Sequence, residues 1–246
     1  MKAIVLCAGL GTRLGTIGRG LPKCLLPIGS EPLLAHTLRW LAHHGYLEVG
    51  LNLHHCADAI RDMAKDGGDF GVKLEYRRES ELLGTAGAVR NFAEFIGDSP
   101  EVLVVYGDLL IDQDLGALRD AHRAHRASAT LLVHRRAGSN SLIALDADGR
   151  ITGFVERPSD TERARHPFPW VNSGVQILSR SLIERIPGAR PADLPRDLYV
   201  PLVARERLFG VPLSGYRCAI DSPERYAEAR HAHASGLYRP PRAGAR

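Results

Sequence analysis

The residues best suited to chemistry cluster near the start of the chain. Gly9 and Gly11 follow the apolar run Lys2-Ala3-Ile4-Val5-Leu6-Cys7, and Thr12-Arg13 follows them. Lys23 comes soon after, in Leu21-Pro22-Lys23-Cys24-Leu25-Leu26-Pro27-Ile28. An apolar strand running straight into glycines suits a strand that ends at a phosphate. Glycine takes backbone angles closed to other residues, so an anion can approach main-chain N–H groups. Arg13 and Lys23 supply the charge a polyphosphate needs. Two aspartates, Asp108 and Asp221, each follow another apolar run. In open α/β sheets ligands gather outside the carboxyl ends of the strands. Carboxylates there suit Mg²⁺, which takes hard oxygen ligands and keeps waters and phosphates in its shell.

Three phosphate-binding loops compete for the N-terminal stretch. A Rossmann fingerprint needs a third glycine where Leu14 stands, and an acid where the next strand ends in Asn52-Leu53-His54. A P-loop needs G-x-x-x-x-G-K-[ST], which is absent. The third fits: Gly9, Gly11, Thr12, Arg13, Leu14, Pro22, Lys23, Leu25, Pro27 and Ile28 stand where LxGGxGTRLxPLTxxxPKxLxPI places them. The segment thus resembles the signature of the sugar-phosphate nucleotidylyltransferases. Ala8 replaces a glycine of that pattern and Thr16-Ile17-Gly18 replaces Pro-Leu-Thr. The plain alternative is a glycine turn with two solvated cations.

The resemblance extends along nearly the whole chain, and it implies roles. Gly107-Asp108 resembles the family's GD metal site, and Asp221 in Ala219-Ile220-Asp221-Ser222-Pro223 resembles the second metal ligand; capping the last helix is an alternative for Asp221. Leu83-Gly84-Thr85-Ala86-Gly87-Ala88 resembles the LGTAGA loop of guanylyl-transferring members, which lies against base and ribose and opens a helix whose N-terminus favours anions. Glu81 matches a family acid. A carboxylate accepts from both N1–H and N2–H of guanine, whereas uracil and thymine offer only N3–H, so GTP is favoured. Phe154-Val155-Glu156-Arg157-Pro158 resembles F-x-EKP, with Arg157 in place of the lysine that holds the sugar phosphate and Glu156 on sugar hydroxyls. Val171-Asn172-Ser173-Gly174-Val175 resembles VNAGI, with Asn172 facing the sugar and Gly174 allowing close backbone approach.

These parallels imply a nucleoside triphosphate:sugar-1-phosphate nucleotidylyltransferase with Mg²⁺ as cofactor. The catalytic set would be Arg13, Lys23 and Asp108. Nucleotide would meet Leu6, Ala8, Gly9, Gly11, Thr12, Arg13, Lys23, Glu81, Gly84 and Thr85. Sugar phosphate would meet Gly107, Asp108, Glu156, Arg157, Asn172 and Gly174, and the metal Asp108 and Asp221. The LGTAGA loop, compact length and chain ending look most like the D-glycero-α-D-manno-heptose and mannose 1-phosphate guanylyltransferases. A UTP- or dTTP-dependent enzyme is the alternative within the class. A silent sugar-nucleotide sensor is the alternative outside it, disfavoured because Lys23 and the carboxylates are kept.

Strand–helix alternation predicts the positioning frame. Strands are expected at Glu48 to Leu53, Val72 to Tyr76, Glu101 to Tyr106 and Thr130 to Arg135, with helices at Glu31 to His44, Ala57 to Lys65, Thr85 to Phe95 and Asp112 to His125. Asp112 and Asp114 are read as the start of that last helix. A hairpin is expected at Leu142–Val155, strands at Val171 to Leu178, Leu208 to Leu213 and Tyr216 to Ile220, helical stretches at Leu182 to Arg185 and Leu194 to Arg205, and a closing helix from Pro223, N-capped by Ser222. The near-continuous apolar run at Glu101 to Tyr106 fits a central parallel strand covered on both faces. The expected fold is α/β: a Rossmann-like, doubly wound, mixed but mainly parallel sheet, GT-A-like, without a C-terminal β-helix. One domain over 1–236 is expected, with NTP binding in about 1–135, sugar-phosphate binding in about 136–236 and a flexible tail at 237–246.

Composition narrows the classes. The 246 residues are 44% hydrophobic, ordinary for a globular core, and no apolar run reaches a membrane span. The four cysteines lack metal spacing and read as reduced thiols of a cytoplasmic protein. A net charge of +4 favours anionic partners, but 6% aromatics argue against nucleic acid. There are 28 arginines against four lysines, which makes a lysine inside the motif notable. The 11 histidines show no HExxH spacing, and no Ser–His–Asp set can be argued. A homo-oligomer is allowed by the sequence but not specified.

Overall fold

The computed structural model describes residues 1–9, 21–188 and 191–240. Strand β1 (Lys2–Leu6) leads to the turn that carries Lys23 and the short hairpin β2 (Pro27–Ile28) and β3 (Glu31–Pro32). Then follow α1 (Leu33–His43), β4 (Glu48–Leu53), α2 (Ala57–Ala64), β5 (Lys73–Arg78), α3 (Gly84–Asn91), α4 (Ala93–Ile96) and β6 (Glu101–Tyr106). The next group is β7 (Leu109–Ile111), α5 (Gly116–Ala124), β8 (Ala129–Arg135), β9 (Ser141–Leu145), β10 (Ile151–Glu156), α6 (Asp160–Arg165) and β11 (Trp170–Ser179). The chain continues through α7 (Arg180–Ile183), a π-helical turn at Leu194–Tyr199, α8 (Val200–Leu202), β12 (Leu208–Pro212), β13 (Arg217–Ala219) and α9 (Pro223–Ala234).

Among the described residues nine strands form one mixed sheet. Its parallel half runs β5-β4-β1-β6, with β1 between β4 and β6. Beyond β6 the sheet turns antiparallel through β11, which also pairs β8 and β9. The expected mixed, mainly parallel, doubly wound sheet is therefore the observed one. Side chains alternate across it as the strand period demands. Ala3 and Val5 of β1 and Leu103 and Val105 of β6 pack with α1, α2 and α5. Ile4, Val102 and Val104 pack on the opposite face with α3, α4 and α7. Both faces are covered, which is why β6 reads as a continuous apolar run.

Some local expectations are corrected. The helix expected from Asp112 starts at Gly116, because the side chains of Asp112 and Gln113 are engaged with the backbone N–H groups of Ser214, Gly215 and Tyr216. Asp112 does not begin that helix. Its Oδ1 accepts from the Tyr216 N–H at 2.6 Å and its Oδ2 from the Arg239 N–H at 2.8 Å, tying later chain to this loop. The helix through Phe95 breaks at Phe92 into α3 and α4. Helix α6 was missed, although Ser159 and Glu162 form a reciprocal capping box. Ser222 caps α9 as expected, accepting from the Arg225 N–H. No helix among the described residues is long and apolar enough to cross a membrane.

Candidate active site

The carboxyl ends of β1, β4 and β6 meet in a cleft of about 410 Å³. Leu6, Cys7, Ala8 and Gly9 line it from the end of β1, Asn52 from β4, and Tyr106, Gly107 and Asp108 from the end of β6. Gly107 is required at this junction. A Cβ there would lie 2.6 Å from the Leu6 carbonyl oxygen, to which its own N–H donates at 2.9 Å. This close approach brings Asp108 into the cleft. Lys23 sits opposite on a single 3₁₀ turn, Lys23–Leu25, anchored by the buried Cys24. Its ammonium Nζ is 3.2 Å from Asp108 Oδ2. Gly11, Thr12 and Arg13 lie outside the described residues.

The cleft also holds an acid that sequence reasoning missed. Glu79 is only 5% exposed and lines the cleft. Asn52 Nδ2 donates to its Oε1 at 2.8 Å, and the Leu83 N–H donates to its Oε2 at 3.0 Å. Asn52 is held in turn, its Oδ1 accepting from the Cys7 N–H at 2.7 Å. Glu81, the acid singled out from the sequence, is exposed and is not among the cleft-lining residues. The reason is backbone continuity. The Glu79 N–H still donates to the Leu53 carbonyl at 2.7 Å, extending the β4–β5 pairing, and the chain bends away at Ser80–Glu81.

Gly84 and Thr85 line the cleft as expected, but the first N–H groups of the helix they open are taken by the protein's own Ala192 carbonyl and Asp193 carboxylate. The Ala192 carbonyl accepts from the N–H groups of Ala86 and Gly87 at 2.8 and 3.0 Å, and the Ala192 N–H donates back to the Leu83 carbonyl at 2.8 Å. Thr85 N–H donates to Asp193 Oδ1 at 3.2 Å, and the Leu194 N–H donates to Thr85 Oγ1 at 2.8 Å. Gly84 makes this possible: its φ is +73°, and a Cβ would come within 2.5 Å of the Ala192 oxygen. Asp193 thereby joins the lining of the cleft, from a segment that carries no motif.

A second cavity of about 350 Å³ adjoins the first, and Tyr106 and Asp108 line both. Ladder pairing of β7 with β13 sets Ala219 opposite Leu109, and the Ile220 N–H donates to the Asp108 carbonyl at 2.8 Å. Asp221 follows at once and lines the second cavity with Asp108, Glu156, Asn172 and Gly174. Strand β11 bulges between Asn172 and Gln176. Gly174, at φ +83°, donates to Asn172 Oδ1 at 2.9 Å, leaving the Asn172 Nδ2 without a protein partner among the described residues. Burial pushes the Glu156 carboxyl up to about 7, against the pull of Arg157.

The cations of this cavity are not the expected one. Arg157 is exposed, has φ +50° and does not line it; its N–H donates to the Asn140 carbonyl at 2.6 Å. Arg136 and Arg217 do line it. Arg217 is partly buried, and its Nε donates to the Ser173 carbonyl at 3.0 Å. His134 shares a hydrogen bond with Ser173 Oγ at 2.9 Å. Burial, and then Arg217 and Arg136, push His134 down to about 4, so the ring is neutral near pH 7.

Among the described residues no group of three or more His, Cys, Asp or Glu side chains is arranged to hold a metal. The pair Asp108 and Asp221 nevertheless fits magnesium. Both are hard oxygen donors on one cavity wall, and this ion needs only one or two carboxylates when phosphates and waters complete its shell.

The family model described as nucleotidyl transferase matches residues 2–209. A UTP–glucose-1-phosphate uridylyltransferase of Synechocystis sp. is 32% identical over 217 residues, 82% of this chain and 55% of the relative. A mannose-1-phosphate guanylyltransferase of Mycobacterium tuberculosis is 30% identical over 228 residues, 91% of this chain and 62% of the relative. The chain thus spans less than two thirds of the length of these relatives. Among solved structures, HddC from Yersinia pseudotuberculosis complexed with GMP-PN superposes with a TM-score of 0.77 at 24% identity, covering 94% of this chain and 98% of that one. Apo UDP-glucose pyrophosphorylase superposes with a TM-score of 0.81 at 19% identity, covering 96% and 99%. At these identities the structures speak for the fold alone. With two thirds and more of its length inside the family model, and a cleft built at the strand ends where the motif residues lie, the chain belongs to the nucleotidyl transferase family.

Proposed function

We propose that this protein transfers a nucleoside monophosphate from an NTP to a sugar 1-phosphate, releasing pyrophosphate, with GTP as the nucleotide and a manno-heptose or mannose 1-phosphate as acceptor. One observation carries the reading. Two cavities meet at Asp108, and the Lys23 ammonium lies 3.2 Å from that carboxylate. A nucleotide in the first and a sugar phosphate in the second would bring the α-phosphorus and the attacking oxygen together at this pair.

The acceptor phosphate oxygen is already an anion, so no general base is needed. It forms the new P–O bond at the α-phosphorus in line as the bond to pyrophosphate breaks. Catalysis is then positioning and charge stabilisation. Lys23 neutralises charge at the α-phosphate, and Arg13 is assigned to the leaving pyrophosphate. Asp108 and Asp221 would hold Mg²⁺, which when bound neutralises phosphate charge. Asn172 and Glu156 would meet sugar hydroxyls.

Glu79 supports GTP. Asn52 and the Leu83 N–H fix both of its oxygens, and each oxygen keeps a further lone pair for N1–H and N2–H of guanine. The uridylyltransferase relative keeps UTP as the second reading. The four free cysteines fit a reducing compartment, and we assign the protein to the cytoplasm. A matrix of NTPs against sugar 1-phosphates with Mg²⁺, read as pyrophosphate release, tests the proposal. Turnover with GTP and mannose or manno-heptose 1-phosphate is expected; no release with any pair refutes the activity, and preference for UTP or dTTP refutes the role of Glu79.

A further inference from the structure

Alternation along β13 and the residues after it divides that segment between two environments. Cys218 and Ile220 are buried against α9, in a cluster with Tyr226 and Ala229. Arg217, Ala219 and Asp221 all line the second cavity. A cation, a gap left by a small side chain and a carboxylate therefore follow one another on one face, as the two-residue period of an extended chain dictates. The Arg217 guanidinium is oriented by its Nε bond to the Ser173 carbonyl. Its two Nη groups have no hydrogen-bond partner and no carboxylate in ion-pair contact among the described residues. Arg136, at the end of β8, adds a second guanidinium to the cavity, and neutral His134 stands beside them.

We infer that Arg217, with Arg136, grips the phosphate of the incoming sugar 1-phosphate, the duty that the sequence pattern hands to Arg157. The inference rests on the nucleotidyltransferase reading and names the anion site within it. The charges match. With Asp108 and Asp221 engaged by a divalent cation and Glu156 turned to the sugar hydroxyls, the two guanidiniums are the cavity's charges left for a dianionic phosphate. An arginine fork meets phosphate oxygens with two parallel donors, which fixes their direction as well as their position. Arg157 is displaced from this duty by its backbone. At φ +50° it turns the chain, and its N–H latches the 140 loop while the side chain stays exposed.

The test measures KM for sugar 1-phosphate and for GTP separately in Arg217→Gln, Arg217→Lys, Arg136→Ala and Arg157→Ala, with thermal melts of each. Losing a hydrogen-bonded charged donor costs on the order of a 10- to 100-fold rise in KM. That rise is expected for sugar 1-phosphate in Arg217→Gln, with partial recovery in Arg217→Lys, a smaller rise in Arg136→Ala, and little change in KM for GTP. Inorganic phosphate should compete with the sugar phosphate in the wild type and more weakly in Arg217→Gln. A purely structural Arg217 would lower the melting temperature and raise both KM values together, which overturns the inference. So does a larger effect from Arg157→Ala than from Arg217→Gln. Should Arg217→Gln fail to fold, Arg217→Lys and Arg136→Ala decide by the same ratio. If the wild type transfers no nucleotide at all, the function fails first. Calorimetric titration of mannose 1-phosphate onto wild type and Arg136→Ala then judges the anion site alone, with equal affinities refuting it.

Discussion

Asn52 Nδ2 donates to Glu79 Oε1 at 2.8 Å, and through this bond the end of β4 orients the buried acid beyond β5. Asn52 itself is held by the Cys7 N–H at 2.7 Å, so three neighbouring strands fix one carboxylate. A carboxylate so constrained cannot swing to suit a different base. Glu79→Gln is expected to raise KM for GTP about tenfold, the scale of a lost charged hydrogen bond, and to change KM for UTP much less. Steady-state kinetics with both nucleotides check this. Equal changes for both would show that Glu79 supports the cleft without reading the base.

Lys23 is the compact charge at the junction of the two cavities. Lys23→Ala should lower kcat on the order of 10² to 10³, as does the loss of one preorganised charge-stabilising donor. Lys23→Arg should restore little, because a planar guanidinium presents a fixed fork of donors on a longer side chain where the ammonium places a compact point charge beside Asp108. Single-turnover rates for both variants give the answer.

Asp108 and Asp221 predict a dependence on divalent cation. Chelation should abolish turnover. Asp221→Asn should raise the Mg²⁺ concentration giving half-maximal rate by about tenfold or more, and Asp108→Asn should cost more because that residue lines both cavities. A magnesium titration that is identical in wild type and both variants would refute the pair as the metal site.

Glu156 gives a pH signature. Burial raises its carboxyl from 4.5 to about 7, so between those values the folded protein holds a proton that the unfolded chain has released. Stability therefore falls as pH rises through this window, and the full cost is present above about pH 7. Glu156→Gln removes that contribution. The difference in Tm between Glu156→Gln and wild type should move in favour of the variant from pH 5 to pH 8, as measured by thermal melts.

Much of the scaffold was legible because the signals were local. The apolar run at Glu101 to Tyr106 needs no partner to be read as a central strand, and two short motifs single out Lys23 and Asp108, which the fold sets 3.2 Å apart. Which side chains line the two cavities beyond those motifs has a different cause. Glu79 and Glu81 stand two residues apart, and what separates them is the Glu79 N–H bond to Leu53 and the bend after it. Arg157 and Arg217 are both arginines near strand ends, and only the pairing of β7 with β13 sets one into the cavity. Asp193 enters because Ala192 fills the N-terminus of α3, a contact between segments far apart in sequence.

That contact also limits Gly84. Gly84→Ala would place a Cβ within 2.5 Å of the Ala192 oxygen at a φ of +73°. A non-glycine residue held in such a conformation costs about 1–3 kcal/mol before any clash is counted. For a chain of this size that corresponds to a Tm lower by roughly 3–10 °C. A melt within a degree of wild type would show that the 192–194 segment can yield.

Helix α9 reaches back to the beginning of the chain. Tyr226 Oη donates to the Pro27 carbonyl at 2.9 Å, and the His233 ring closes over Gly29, where even a methyl group would collide. The hairpin that follows Lys23 thus rests on residues that emerge from the ribosome some two hundred positions later. The nascent chain can pair β1 with β4 early, yet the lysine turn and the acid at Asp221 reach their final places only after α9 has been synthesised and docked. A stalled or clipped product ending before residue 223 would carry Lys23 and still lack the helix on which its hairpin rests.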